Sequence, residues 1–296
     1  MLSFKKPALD AGELLKLLQQ RGLTIPDPKR ATHYLQTIGY YRLSAYFIPF
    51  KICSNKFCPQ ANFDDILELY IFDRKLRLLA LDPLERIEIA VRTAISDQMS
   101  VKYGPFWFLN KNLFENQKSH LDFITYSKRL AGKDAAHKSA ACAHYFEKYG
   151  DKELPPSWVL IEELPMGTWS RLYANLKNNQ DKRAIANIFD FKWRDLKSWL
   201  EPMTILRNLC AHHRRFWNIS LPIKPRNLER YAGTNAGNID GAYLNFVLIM
   251  AFLKRFTHNP SWHTHLPALL ENCPLDPYLH MHFPLNWLEL PFWKGN

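Results

Sequence analysis

One segment, residues 64–103, constrains the fold of this 296-residue chain more than any other. Its apolar residues, beginning with Ile66, Leu69 and Phe72, recur at the spacing of an amphipathic helix. Pro83 interrupts the segment and predicts either a kink or a restart of the helix. The remaining segments also show helical spacing, with no internal repeat and no convincing strand, so we predict an all-α fold.

Composition and charge narrow the class of protein. Hydrophobic residues make up 47% of the chain and aromatic residues 14%, which excludes a disordered protein. The net charge of +11 favours a polyanionic partner, although a merely soluble basic protein would look similar. The five cysteines are odd in number and show no CxxC spacing, so we expect reduced thiols. The chain starts without an apolar leader and its longest apolar run, residues 242–253, is too short for a bilayer. We therefore expect a cytoplasmic protein.

Prolines, glycines and charge divide the chain into three predicted regions. Residues 1–60 form an N-terminal helical hairpin, with Asp27 and Pro28 at the start of its second helix. Such a hairpin could read DNA, but any helical hairpin has this pattern. Residues 61–225 form a helical core with a basic insertion at about 111–150, either a solvated face or an RNA-contacting arm. Residues 226–296 form a helical, Pro-rich extension, and we expect neither a metal site nor a cofactor in the chain.

The strongest functional signal is the heptapeptide RNLCAHH at 207–213. We predict a helix that runs from about Asp195 and continues through the heptapeptide into residues 214–218. On a helical wheel one arc is apolar, and the adjoining arc carries Arg207, Asn208, Ala211 and His212. The apolar arc consists of Leu196, Trp199, Leu200, Met203, Leu206 and Cys210.

That adjoining arc suits RNA cleavage without a metal. His212 can transfer protons near neutral pH, and Arg207 can hold phosphate oxygens with a permanent charge. Asn208 could orient either group, and the neighbouring imidazole of His213 is a second candidate for the acid or base. The alternative is a cationic helix end that the helix dipole stabilises.

Two other groups of residues could support such a site. Glu85, Arg86, Glu88 and Arg92 have the spacing of surface ion pairs, but Glu88 or Arg86 could instead contact Arg207 or His212 and orient it. Tyr40, Tyr41 and Arg42 could stack on bases and bind phosphate, although an aromatic corner of the core is the favoured interpretation. We add Arg214, Arg215 and Asn218, which follow the heptapeptide, as candidates for RNA contact.

Several separated segments resemble one family, the Abi family of bacterial abortive-infection proteins (the AbiD/AbiF-like group). The matching pieces are RGL at 21–23, IGYYRLSAY at 38–46, LYIFDRKLR at 69–77, ERIE at 85–88 with Arg92, PSW at 156–158, and RNLCAHH at 207–213. The resemblance implies a HEPN-type helical core that pairs as a homodimer. In such a core the Arg-x4-His motif serves a metal-independent endoribonuclease that leaves 2′,3′-cyclic phosphate and 5′-OH ends.

Transferred to this chain, the resemblance assigns phosphorane stabilisation to Arg207, acid–base catalysis to His212 and positioning to Asn208. It also implies an anti-phage, growth-arresting toxin whose partner could be a small non-coding RNA antitoxin. Two alternatives stay open: a protein that binds structured RNA without cleaving it, and a DNA-binding regulator that uses residues 13–38.

Overall fold

The computed structural model describes residues 3, 7–229, 241–257 and 262–294, and within these ranges the chain is all-α, as predicted. The helices are α1 (Ala11–Gln20), α2 (Pro28–Thr37), α3 (Tyr40–Ser44), α4 (Phe63–Tyr103), α5 (Gln117–Ala131), α6 (Ala140–Lys148), α7 (Ser157–Glu163), α8 (Met166–Asn175), α9 (Asn179–Asn187), α10 (Trp193–Ala211), α11 (Tyr243–Phe256), α12 (Trp262–Leu270) and α13 (Pro277–Met281). Short 3₁₀ turns occupy Ile48–Phe50, Trp107–Leu109, Lys111–Leu113 and Trp287–Glu289. Although the sequence shows no convincing strand, a short antiparallel hairpin forms from β1 (Lys51–Cys53) and β2 (Lys56–Phe57).

Helix α4 is the central element, and it continues through Pro83 without a restart. The Asn62 side chain caps its first turn by accepting from the backbone N–H of Asp65. Because a proline has no N–H, the carbonyl four residues earlier loses its helical partner. That carbonyl, of Leu79, instead accepts the indole N–H of Trp262 from α12 at 2.8 Å. The C-terminal extension therefore completes the hydrogen bonding of the central helix.

Helix α10 packs against α4, α8, α9 and α11 and carries the predicted motif at its C-terminal end. Every residue of the predicted apolar arc, from Leu196 to Cys210, is buried, which confirms the wheel. The predicted continuation into 214–218 is wrong, because α10 ends at Ala211. His213 adopts a left-handed conformation (φ 57°), and the Arg214 N–H turns back to the Leu209 carbonyl at 3.0 Å.

The N-terminal hairpin and the basic insertion both pack on this core. The Asp27 side chain caps α2 and Pro28 takes its first turn, as predicted. The insertion holds two helices, α5 and α6, and α5 ends at its C-cap, Gly132. It is not a free arm, because α5 packs against α7 and α8 and buries Phe123 and Ala131.

Within the described ranges, buried side chains from Leu18 to Trp293 form one connected hydrophobic cluster. The division into three regions stays a prediction. None of the described helices has the length and apolar character needed to cross a bilayer. The sequence predicts a turn-rich passage at 233–241, and all of it except Gly241 lies outside the described residues.

Candidate active site at the C-terminal end of helix α10

Arg207 is held by a buried carboxylate from α4. Its Nε donates to Glu88 Oε2 at 2.8 Å, and its Nη1 donates to Asn208 Oδ1 at 3.3 Å. Glu88 is nearly buried (7% exposed side chain), whereas 31% of the Arg207 side chain is exposed. The surface ion pair, which the spacing favours, is therefore wrong for Glu88, and the alternative contact with Arg207 is present.

A cleft of about 620 Å³ opens beside this pair. Asn208 and His212, one helical turn apart on α10, both line it. The side chains of Arg214 and Arg215 contribute positive charge to its wall. The rest of the wall is mostly apolar, from Ala45, Ile48, Ile205, Leu209, Ile219, Leu221 and Pro222. His212 itself is exposed at the cleft, so a ligand can reach its imidazole.

Arg207 does not line this cleft with His212. The two residues lie five positions apart, which separates them by about 140° around a helix. Among the described residues no hydrogen bond joins them, and Asn208 lies between them as the shared neighbour. The sequence places both residues on one polar arc, but the structure turns them to different parts of it.

A buried charge cluster fixes the chain that follows the motif. Asp73 of α4 is fully buried and accepts the backbone N–H groups of Phe216 (3.1 Å) and Trp217 (2.6 Å). Its other oxygen accepts from the Tyr46 hydroxyl and from the Arg77 guanidinium. Burial raises the pKa of the Asp73 carboxyl, and the charge of Arg77 opposes that shift.

The segment at 40–46 also forms hydrogen bonds with the turn that follows α10. Arg42 donates to the His213 carbonyl at 2.6 Å, and Arg215 donates to the Ala45 carbonyl at 2.8 Å. Tyr40 accepts a hydrogen bond from Arg21 at 2.9 Å and is partly buried. For Tyr40 and Arg42, these contacts favour an aromatic corner of the core over a role in RNA contact. Tyr41 differs, since 91% of it is exposed.

The remaining candidates on α4 differ in whether they contact the residues around Arg207. Arg92 contacts Glu162 at 3.2 Å and lies 3.8 Å from Glu88, so it extends the ion-pair chain behind Arg207. Arg86 instead donates to the Thr257 hydroxyl at 2.9 Å, and the alternative in which it meets Arg207 or His212 is wrong. Glu85 is exposed, with no side-chain partner in the described part of the chain.

The last candidates follow the motif. The Arg214 side chain is exposed in the cleft wall, while its carbonyl accepts from Arg77 at 3.4 Å. Asn218 is half-buried, has a left-handed backbone (φ 51°) and does not line the cleft. His213 is exposed but also lies outside the set of residues that line the cleft.

Asp73 and Arg77 were not among the site residues predicted from the sequence, yet a signal for them exists. They occupy positions i and i+4 within the buried stripe of Leu69, Phe72 and Leu76. Charged residues at core positions of an amphipathic helix require partners that the helix itself does not provide. This pattern could have identified them as an anchor for another segment.

The arrangement joins an exposed imidazole, an amide, an ion-paired guanidinium and two further arginines around one turn. Such a set can transfer a proton and bind a phosphate without a cofactor. The structure therefore defines an all-helical protein with a cationic cleft at a helix terminus.

A family model described as Abi-like protein matches residues 33–218, which include the heptapeptide, Glu88 and Asp73. The chain belongs to the Abi-like protein family, and the resemblance seen in the sequence is confirmed. This membership connects the chain with abortive-infection defence. Neither the curated proteins nor the solved structures contain a match to the chain.

Proposed function

We propose that the chain is an anti-phage abortive-infection effector with metal-independent endoribonuclease activity of the HEPN type. The observation that carries the proposal is the cleft in which Asn208 and the exposed His212 lie side by side, next to Arg214 and Arg215. In this proposal the cleft admits an RNA strand, and the two arginines bind its phosphates.

His212 acts as the general acid or base. In the cleavage step the 2′-oxygen loses its proton and attacks the adjacent phosphorus, and the bond to the 5′-oxygen breaks as that oxygen gains a proton. The products are a 2′,3′-cyclic phosphate and a 5′-OH. Charge accumulates on the phosphate oxygens between these proton transfers, and fixed donors stabilise it.

Asn208 and Arg207 take complementary parts. Because Asn208 Oδ1 accepts from Arg207, the amide is oriented with its N–H donors available for phosphate or for the 2′-OH. Arg207 is committed to Glu88 through Nε, and its Nη2 has no hydrogen-bond partner among the described residues. A substrate, or a second copy of the chain in a homodimer, could engage that nitrogen.

One observation favours a second candidate function, a structured-RNA-binding protein without turnover. No carboxylate or carbonyl in the described part of the chain orients the His212 ring, whereas an acid–base histidine usually has such a partner. In this case the same arginines and His212 would bind an RNA, including a small non-coding RNA antitoxin.

Cleavage and binding separate the two candidates. The purified protein is incubated with end-labelled RNA in EDTA, and the product ends are identified. The proposal expects cyclic phosphate and 5′-OH ends from the wild type. His212→Ala should abolish cleavage while RNA affinity changes no more than a few-fold.

RNA binding by the wild type without any cleavage would favour the second candidate. Equal cleavage by the wild type and His212→Ala would remove this imidazole from the mechanism.

A further inference from the structure

A second cleft, of about 670 Å³, lies at the opposite end of α10 from His212. Four exposed cationic side chains line it: Arg183, Lys192, Arg194 and Arg226. Within the described ranges none of the four forms a salt bridge or a side-chain hydrogen bond. The Arg194 guanidinium lies 4.8 Å from the ring centre of Trp193.

Two carboxylates, those of Asp190 and Asp195, line this cleft together with five cations, because Arg255 lines it as well. Asp190 pairs with Arg255, and Asp195 accepts a hydrogen bond from the Asn227 amide at 2.7 Å. The residues that line the cleft therefore carry an excess of positive charge. Exposed guanidinium and ammonium groups in a concave site are typical of phosphate binding, and several together fit a polyanion.

The two clefts lie along the same side of α10. Arg194 and His212 are separated by 18 residues, which is five full turns and about 27 Å along the helix. Lys197, Glu201 and Ile205 occupy the intervening turns on that side and are exposed or half-buried. A solvent-accessible strip thus runs from the cationic cleft to His212, and Glu201 is its single acidic residue.

We propose that this strip is the path of an RNA strand, whose phosphates bind in the cationic cleft while another part of the strand reaches His212. This inference rests on the proposed function only for the catalytic role of His212, and the RNA contact in the cationic cleft does not depend on it. At an axial rise of ~3.4 Å per nucleotide for a stacked helical strand, a ligand that touches both ends spans roughly eight nucleotides. Short RNA therefore reaches only one end, and longer RNA gains the second contact.

The test compares two double variants in the His212→Ala background, so that RNA is bound without being cut. The first is Arg183→Ala with Arg194→Ala. The control is Lys111→Ala with Lys118→Ala, which removes two exposed cations from the basic insertion. Affinities for single-stranded RNA of 4 and 20 nucleotides are measured between 50 and 200 mM salt.

The first double variant should lose affinity for the 20-mer on the order of tenfold, and it should lose less affinity for the 4-mer, which can still bind at the His212 end. The slope of log affinity against log salt should become shallower by about 1.4, because each lost contact to a single strand contributes about 0.7. With His212 intact, the same variant should raise KM for the 20-mer and leave kcat unchanged.

Unchanged affinity for the 20-mer would overturn the inference, as would an equal loss in the control double variant. Tighter binding of a duplex DNA of the same length than of the RNA would also overturn it. If the wild type cuts no RNA but the first double variant loses affinity as expected, the path stands and the nuclease proposal falls.

Discussion

Replacement of Asp73 by asparagine tests the anchor beneath the motif. The carboxylate receives four donors, two backbone N–H groups on one side and the Tyr46 hydroxyl with the Arg77 guanidinium on the other. An asparagine has one oxygen, so either orientation of its amide leaves two donors facing an NH2 group. It also leaves the buried charge of Arg77 without a counter-ion.

The expected loss of stability follows from the burial of the Asp73–Arg77 pair. Asp73 is fully buried, and only 6% of the Arg77 side chain is exposed, so solvent screens this pair very little. Removal of one partner from a buried pair costs about 3–5 kcal/mol. For a chain of this length, an unfolding entropy of about 2.1 cal/mol/K per residue converts that loss to a decrease in Tm of roughly 5–8 °C.

The assay is denaturant unfolding of Asp73→Asn, followed by fluorescence and circular dichroism. The control is Asp82→Asn on the same helix, whose exposed carboxylate lies 3.8 Å from Arg86 and should contribute nothing measurable. A loss below about 1 kcal/mol, or a loss equal to that of the control, would refute the anchor. The folded fraction of Asp73→Asn should also cleave RNA more slowly, because the turn that carries the cleft arginines is no longer fixed.

Two further predictions concern buried groups away from that anchor. Burial raises the pKa of the Cys210 thiol to about 12, so a thiol reagent at pH 8 should label the exposed Cys53 in the native protein and reach Cys210 only after unfolding. Since the unfolded thiol ionises first, this group should also reduce stability as pH rises from about 9 towards 12, and fast native labelling of Cys210 would contradict its burial. Trp262→Phe keeps an aromatic ring but removes the N–H donor to the Leu79 carbonyl, so the free energy of unfolding should fall by about 1–2 kcal/mol. Trp158→Phe, at a half-exposed ring, is its control and should be neutral; equal losses in the two variants would show that the indole N–H contributes nothing.

Local physics accounts for the parts of the fold that the sequence predicts well. The apolar spacing of α4 and the buried arc of α10 depend only on helical periodicity. Caps such as Asp27 depend on side chains within three residues of the helix start. The end of α10 was mispredicted because residues 214–218 carry no strong helix breaker, while the left-handed turn at His213 depends on contacts from distant residues.

The candidate site depends on pairs that are far apart in the sequence. Glu88 and Arg207 are 119 residues apart, and spacing alone could not decide whether Glu88 meets a neighbour on α4 or a residue on α10. Arg42 was a candidate for RNA contact, but its partner is a carbonyl 171 residues away. Helical packing decides such contacts, and one sequence does not show which helix faces which.

In the proposed mechanism the imidazole of His212, and not that of the adjacent His213, transfers protons in the cleft. The most direct measurement compares the RNA cleavage rates of His212→Ala and His213→Ala in EDTA, with wild-type protein beside them. Both histidines are exposed and adjacent, but only His212 lines the cleft with Asn208. We predict that His212→Ala loses at least about a hundredfold in rate, as expected for removal of a general acid or base, while His213→Ala stays within a few-fold of the wild type. Equal rates for the two variants, or a larger loss in His213→Ala, would contradict the account.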